Sequence, residues 1–202
     1  MKKAFLVLAL VATMFAAGKA QAQIIYAGYT PETFSFENSS NNYQGFCVGF
    51  NTDFDLTKNL GVAVGAQFRM NMRSFKEWDG TVKTKETQTI VDVPILLNYN
   101  FSINNRMDIK PFVGPMLSLG ITGNTNTRTF IGNTELTNHN YNWYGEDGYM
   151  RRFNLYGVLG ANFSISDFNI FAGYRFGFLD LYKSDYVKMT TNGFFVGVGY
   201  EL

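Results

Sequence analysis

The chain has 202 residues, which suits one domain. Its formal net charge of +1 gives no sign of the strongly basic face that a nucleic-acid partner needs. Its only cysteine, Cys47, excludes an intramolecular disulfide. Charged residues are few, at 16%, while Phe (20), Tyr (12) and Gly (20) are abundant, a combination that strands with one apolar and one small or polar face would explain.

The N-terminal residues have the features of a cleavable secretory signal. Two lysines precede a continuous apolar run over residues 4–17, and Ala-Gln-Ala at 20–22 matches a cleavage site. The apolar run is shorter than the about 20 residues that a spanning helix needs. We therefore predict a signal peptide at 1–22 and an exported domain at 23–202. The mature domain has 14 basic and 16 acidic residues, a net charge of −2.

Eight segments of the mature chain have the residue pattern of strands. Most run 10 to 15 residues, whereas strands of globular proteins usually have about 5–6 and a tilted membrane-spanning strand about 9–11. Their lengths therefore favour a bilayer. The predicted strands are 24–36, 45–54, 60–72, 87–101, 109–121, 153–165, 168–181 and 191–202.

The connections between these strands alternate in length. The first, third, fifth and seventh have 8, 14, 31 and 9 residues, whereas the second, fourth and sixth have 5, 7 and 2. Because antiparallel neighbours place alternate connections at opposite ends, one end would carry short turns and the other long loops. Short periplasmic turns and long extracellular loops are typical of outer-membrane barrels. We expect both termini on the periplasmic side.

The last ten residues, GFFVGVGYEL, show the two-faced pattern clearly. Phe194, Val196, Val198, Tyr200 and Leu202 share one face, and three glycines and a glutamate lie on the other, with Phe195 as an exception. In the third, fourth and seventh strands the second face includes charged and amide side chains. Burying them in an apolar core would cost free energy, whereas they can fill the lumen of an eight-stranded barrel.

The apolar face is therefore predicted to meet lipid, and the fold class to be all-β: an eight-stranded antiparallel transmembrane up-and-down β-barrel. In the first strand the alternation slips at Pro31, which indicates a local bulge. The alternative is a secreted, soluble lipocalin-like barrel that binds a small hydrophobic ligand. It has the same strands with the faces exchanged, so Phe68, Tyr174 and Tyr200 would point inward.

Six charged side chains are predicted to face the lumen, three acids and three bases. They could line a selective pore, but an eight-stranded barrel is too narrow for an open channel. We therefore favour a paired ionic plug, in which Arg175 forms a buried pair with Asp92. The predicted lumen charges are Asp53, Arg69, Asp92, Lys110, Arg175 and Glu201.

The longest connection, residues 122–152, is the first place to look for an extracellular partner. Its aromatic residues, together with Trp78 in an earlier loop, could form a recognition surface or belong to the interfacial aromatic girdle. These residues are Trp78, Tyr141, Trp143, Tyr144 and Tyr149.

The segment 122–152 also holds the single histidine, His139, which a lipid hydrolase could use beside Glu146 or Asp147. No flanking signature supports that chemistry, and nothing indicates a cofactor or a metal.

The segments IIYAGYTPETFSFE, GFCVGFNTDFDLTKNLGVAVGAQF, VDVPILLNYNFSI, IKPFVGPMLSLGI, RFNLYGVLGANFSI and GYRFGFLDL resemble, in this order, a known family. It comprises the small outer-membrane β-barrel domain proteins of the PorT-like type, which are common in gut Bacteroidetes. The resemblance extends over almost all of the mature chain, and VPILLNYNF and GPMLSLG carry most of it. It implies a compact outer-membrane barrel, with membrane lipid as its surroundings, and it brings no catalytic residues.

Overall fold

The computed structural model describes residues 22–37, 39–77, 81–104, 106–131, 134–184 and 187–202. No helix in these residues is long and apolar enough to cross a membrane. The described residues form eleven strands. These are β1 (Ala22–Tyr29), β2 (Glu32–Ser35), β3 (Ser40–Asp55), β4 (Leu60–Glu77), β5 (Val82–Tyr99), β6 (Phe101–Asn104), β7 (Met107–Ile131), β8 (Thr134–Asn142), β9 (Phe153–Ile165), β10 (Phe168–Gly177) and β11 (Thr190–Glu201).

The strands close into an antiparallel barrel, because β1 pairs with β3 on one side and with β11 on the other. The order around the ring is β1, β11, β10, β9, β7, β5, β4 and β3, with β2 continuing β1 between the same two neighbours. Closure leaves no sheet edge in the wall, which is the condition for spanning lipid with strands. The predicted eight-stranded barrel is confirmed.

The first barrel strand is interrupted between β1 and β2, at Thr30 and Pro31, where the sequence alternation slips. Proline supplies no ladder donor, and the chain bends toward both neighbouring strands. Glycines lie at the contact points: a Cβ on Gly45 would lie 2.1 Å from the Thr30 carbonyl oxygen, and one on Gly193 would lie 2.2 Å from that of Pro31. Only glycine fits this close backbone approach.

The two ends of the barrel differ. One end, the turn end, carries the short turns at 56–59 and 166–167 and both ends of the described chain, where Ile24 pairs with Glu201. The opposite end, the loop end, carries the connections between β2 and β3, β4 and β5, and β7 and β8, and the segments 143–152, 178–184 and 187–189. The predicted asymmetry of the ends is therefore present.

Two predicted loops are largely strand. β4 and β5 run past the barrel wall to Glu77 and from Val82, and β7 continues to Ile131 before β8 returns beside it. The prediction of 122–152 as a loop is wrong for the end of β7, to Ile131, and for β8, because these residues keep pairing beyond the barrel. Residues 73–77, 82–89, 122–131 and 134–142 form the projecting sheet, in the order β4, β5, β7, β8.

Candidate functional site

The outer wall of the barrel is apolar and exposed. Phe68, Tyr174 and Tyr200 have 45%, 42% and 41% of their surface exposed, whereas Arg69 and Arg175 have 0% and 1%. An exposed apolar surface that surrounds a polar interior is the arrangement of a barrel in lipid, since a soluble barrel buries its apolar face. The lipocalin-like alternative, which needed these three aromatic side chains in the lumen, is wrong.

Aromatic side chains gather on the outer wall in two groups, one in each half of the strands. The group in the turn-end half contains Tyr99, Phe101, Phe168 and Tyr200. The group in the loop-end half contains Tyr29, Phe46, Phe176 and Phe178. Aliphatic side chains such as Val48, Val113 and Val198 lie between them. Aromatic girdles that flank an aliphatic band match the two interfaces of a bilayer.

The lumen is blocked by a layer of four buried charges, Glu32, Arg69, Asp92 and Arg175, which we call the charge layer. Arg69 holds Asp92 with two hydrogen bonds, from Nε to Oδ2 at 2.8 Å and from Nη2 to Oδ1 at 3.2 Å. Nη1 of Arg69 pairs with Glu32, and Nε of Arg175 lies 3.9 Å from Oε1 of Glu32. Two carboxylates and two guanidinium groups balance, as buried charges must.

Neutral side chains complete the hydrogen bonding of this layer. Asp92 accepts from Ser118 and, at 2.7 Å, from Gln67. Glu32 accepts from Asn71 and, at 2.5 Å, from the hydroxyl of Tyr156. Charge-assisted bonds from several strands at once make a rigid interior rather than an aqueous path.

The predicted pair between Arg175 and Asp92 is wrong. Asp92 is held by Arg69, and the partner of Arg175 is Glu32, together with the carbonyl oxygen of Thr30, which accepts from Nη2 at 2.9 Å. Sequence reasoning missed Glu32 because the break at Pro31 changes which residues of the first strand face inward.

The remaining predicted lumen charges lie at the turn end. Lys110 pairs with Asp53 at 3.4 Å, with both side chains largely buried. Glu201 is half-buried, and within the described residues it forms no ion pair. Between the Lys110–Asp53 pair and the charge layer the lumen holds a cavity of about 100 Å³, lined in part by Cys47 and Phe195.

The loop end of the lumen is closed by an aromatic and aliphatic cluster, which we call the cap cluster. It comprises Phe34, Tyr43, Trp143, Tyr144, Met150, Leu181 and Met189. Nε1 of Trp143 donates to Oγ1 of Thr125 at 2.7 Å, and the hydroxyl of Tyr144 accepts from Gln88 at 2.7 Å. Burial raises the pKa of Tyr144 to about 12, so this phenol stays neutral. The segment 143–152, together with Leu181 and Met189, thus folds into the mouth of the barrel.

The predicted aromatic recognition surface is therefore corrected. Trp143, only 1% exposed, and Tyr144 belong to the cap cluster and to neither a recognition surface nor a lipid girdle. Tyr141 and Tyr149 are half-buried and stack on each other, with ring centroids 5.9 Å apart. Trp78 lies outside the described residues.

His139 lies in β8, opposite Thr127, with its side chain exposed. In the described part of the chain its side chain makes no hydrogen bond or ion pair with Glu146 or Asp147, which are also exposed. The same residues contain no group of three or more His, Cys, Asp or Glu side chains that could hold a metal ion. The described residues therefore form a filled lumen that is capped at the loop end.

Comparison with known proteins agrees with this architecture. Ail, the attachment invasion locus protein of Yersinia pestis, is 17% identical with a TM-score of 0.52, over 90% of this chain and 98% of that chain. Ail in complex with the heparin analogue sucrose octasulfate matches with 17% identity and a TM-score of 0.51, over 90% and 99%. Neisserial surface protein A (NspA) matches with 14% identity and a TM-score of 0.51, over 89% and 97%. These likenesses show the fold.

Comparison with curated protein sequences gives no match. The sequence model of a family described as "Outer membrane protein beta-barrel domain" matches residues 15–183, most of the chain. The chain therefore belongs to the outer membrane protein beta-barrel domain family, and its apolar wall lies in the lipid of the outer membrane.

Proposed function

We propose that this protein is a non-enzymatic outer-membrane barrel with a structural and surface-contact role. Its closed wall would hold the projecting sheet rigidly outside the membrane, where another molecule can contact it. The observation that carries the proposal is the combination of a lumen blocked at two levels with strands that continue beyond the barrel.

The closed lumen argues against a pore. The charge layer joins β2, β4, β5 and β10 across the interior, and the cap cluster covers it from the loop end. An open aqueous channel needs about 16–18 strands, whereas eight strands leave an interior that side chains fill.

The projecting sheet supports the surface-contact role. Within the described residues, β8 pairs only with β7, so its other edge presents free backbone groups, and nearly all of its side chains are exposed. An exposed edge strand accepts an extended partner chain by strand addition. An extracellular partner would therefore contact the segment 122–152 through β8 rather than through the buried Trp143 and Tyr144.

The absence of an enzymatic role is part of the proposal. A rim hydrolase would need an acid or a nucleophile oriented toward His139, and the described residues offer neither within hydrogen-bonding distance. The prediction is that His139→Ala leaves unchanged the lipid composition of the outer membrane of the bacteria that produce the protein.

We also propose that the chain is of the PorT-like type found in Bacteroidetes. The segments VPILLNYNF and GPMLSLG support this finer assignment. The first runs from β5 into the start of β6 and the second lies on β7, which pairs with both. An exported chain with a signal peptide at 1–22 and a barrel domain at 23–202 is part of the same proposal, with residues 1–21 outside the described part.

The proposed function is tested with the full mature chain and one shortened variant. The variant replaces residues 126–140 by Asn-Gly, a two-residue turn that links the cross-strand partners Thr125 and Tyr141. The mature chain and the shortened variant are both checked for folding in a detergent gel. A folded barrel migrates faster before heating than after it. We expect no steady conductance from the intact chain in planar bilayers. Bacteria that display it should attach to host-cell surfaces and lose that attachment with the shortened variant.

Two outcomes contradict the proposal in different ways. Stepwise conductance of the intact chain would mean that the lumen opens, whereas equal attachment by the intact and shortened forms would remove the role of the projecting sheet. The Lys58→Gln variant, which keeps the hairpin and alters only an exposed residue at the turn end, is the control for attachment.

A further inference from the structure

The outward face of the projecting sheet carries a row of like charges. Lys76 of β4 lies directly opposite Lys83 of β5, and Lys83 lies directly opposite Arg128 of β7. Directly opposite residues share a face of the sheet about 5 Å apart, and like charges at such positions are destabilising. Lys85, two residues from Lys83, lies on the same face and pairs in register with Ser74 and Asn126.

The inward face of the same sheet is arranged differently. There Arg73 lies opposite Glu86 and forms an ion pair with it at 3.6 Å. The chain therefore places opposite charges in register on the inner face and like charges in register on the outer face. Since both faces belong to the same strands, backbone geometry does not explain the difference.

The cations of the outer face are only partly compensated. Arg128 lies 3.8 Å from Glu135 and donates from Nε to Asn126 at 3.0 Å. Lys83 lies over the ring of Phe130 at 4.5 Å. In the described part of the chain, Lys76 and Lys85 form no ion pair. Among the described residues of this face, four cations against one carboxylate leave a positive surplus on an exposed surface.

The height of the row points to lipid headgroups. On β4 the outward positions run from Phe68 through Met70 and Met72 to Ser74 and Lys76, so the row continues the apolar wall. Lys76 follows Met72 by four positions. In a strand tilted by about 40°, four positions span about 10 Å along the barrel axis. The headgroup layer extends about 5–8 Å beyond the hydrocarbon core on each side, so the backbone of Lys76 lies near its outer edge and the flexible lysine stem can place the ammonium group among the phosphates. The cations also point sideways, away from the barrel axis.

From this placement we propose that the outer face of the projecting sheet binds the phosphate groups of lipids in the outer leaflet. The row Lys76, Lys83 and Arg128, with Lys85 below it, supplies the charge. The side-chain amides of Asn138 and Asn140, which lie on the same face opposite Arg128 and Asn126, add hydrogen-bond donors. A bound phosphate relieves the repulsion within the row and fixes the height of the barrel in the membrane. This site is independent of what the edge of β8 contacts.

The test compares lipid retention by three forms of the mature chain. The first is unaltered, the second is the triple variant Lys76→Gln, Lys83→Gln, Lys85→Gln, and the third is the matched control Lys58→Gln, Lys183→Gln, Lys188→Gln. The control removes the same charge from exposed lysines outside the row. Each form is placed in nanodiscs of phosphatidylcholine with 10% phosphatidic acid (a chosen composition, about one lipid in ten), extracted gently, and analysed for the ratio of the two lipids that stay bound.

The unaltered chain and the control should retain phosphatidic acid above its bulk fraction. Each lysine near an anionic surface strengthens binding about fivefold, so the triple variant should retain phosphatidic acid at about its bulk fraction. Raised salt should lower the enrichment of the unaltered chain. Heat-modifiable migration in gels establishes that all three forms are folded.

Equal enrichment in the triple variant, or an equal loss in the control, would overturn the proposal. A second arm separates lipid from soluble anions: nanodiscs of pure phosphatidylcholine are titrated with sucrose octasulfate and with inorganic phosphate. Binding of either that requires the three lysines, without enrichment of phosphatidic acid, would assign the row to a soluble anion and contradict the lipid site.

Discussion

Arg69 and Asp92 form a fully buried, doubly hydrogen-bonded ion pair although they are not direct cross-strand partners. Asp92 lies opposite Gln67, and Arg69 lies opposite Ile90, so the guanidinium group reaches diagonally along the lumen. A diagonal reach of this kind is within the length of an arginine. It turns Nη1 toward Glu32, which is why one arginine links two carboxylates from different strands.

The first prediction concerns Glu32, which lies between two guanidinium groups. Glu32→Gln removes the carboxylate that faces both Arg69 and Arg175 and leaves two buried cations with Asp92 alone. Breaking a buried ion pair from one side costs about 3–5 kcal/mol. We expect a loss of this size in the free energy of unfolding in detergent, measured by urea titration with gel mobility as the readout.

A second change separates the charge effect from other damage. Adding Arg175→Met to Glu32→Gln should recover part of the loss, because the uncompensated cation is then gone. Glu37→Gln, at an exposed carboxylate, is the matched control and should be neutral. Strictly additive losses in the double variant would count against the coupling.

The sequence predicts the barrel and the direction of its faces because both rest on local patterns. Strands such as 60–72 alternate strictly, so Phe68 and Arg69 are assigned to opposite faces by spacing alone. The chain also indicates which end carries long connections. These features require no knowledge of which residues meet across the lumen.

The interior partners could not be predicted, because they depend on register and on strand breaks. Glu32 follows Pro31, where alternation fails, so the sequence gives no reason to place its carboxylate in the lumen. Arg175 of β10 pairs with Glu32, so its partner depends on the break between β1 and β2 rather than on its own strand. Likewise, the sequence around Trp143 does not distinguish an exposed loop from a segment that folds back into the mouth of the barrel.

The second prediction concerns the close approach at the strand break. Gly193→Ala would place a Cβ 2.2 Å from the carbonyl oxygen of Pro31, and backbone atoms cannot move aside without disturbing β1 and β2. Overpacking of this kind typically costs about 1–3 kcal/mol. Gly145→Ala is the control, because its Cβ would have its nearest neighbour at 3.7 Å. Equal urea midpoints for the two variants would contradict the close approach.

The third prediction concerns the cap cluster. Trp143→Ala removes a buried indole that donates to Thr125 and has an edge contact with Tyr43, at a cost of about 3–5 kcal/mol. The charge layer below does not depend on this side chain, so planar bilayers should still show no steady conductance. Ile131→Ala, at an exposed position of the projecting sheet, should leave stability unchanged. A current through the Trp143→Ala variant would mean that the cap alone closes the lumen.

The fourth prediction tests which surface meets lipid. Val113 lies midway along the barrel part of β7 and has 57% of its surface exposed, whereas Leu136 of the projecting sheet has 53% exposed. An arginine at the middle of the lipid face costs about 2–4 kcal/mol, and the same change outside the membrane costs almost nothing. Val113→Arg should therefore lower the unfolding free energy in bilayer nanodiscs by about this amount, and Leu136→Arg should not. Val113 and Leu136 are similarly exposed, so solvent accessibility cannot explain a difference in unfolding free energy between the two variants. Only the surrounding lipid can. If both variants unfold at the unaltered urea midpoint, the wall around Val113 does not face hydrocarbon.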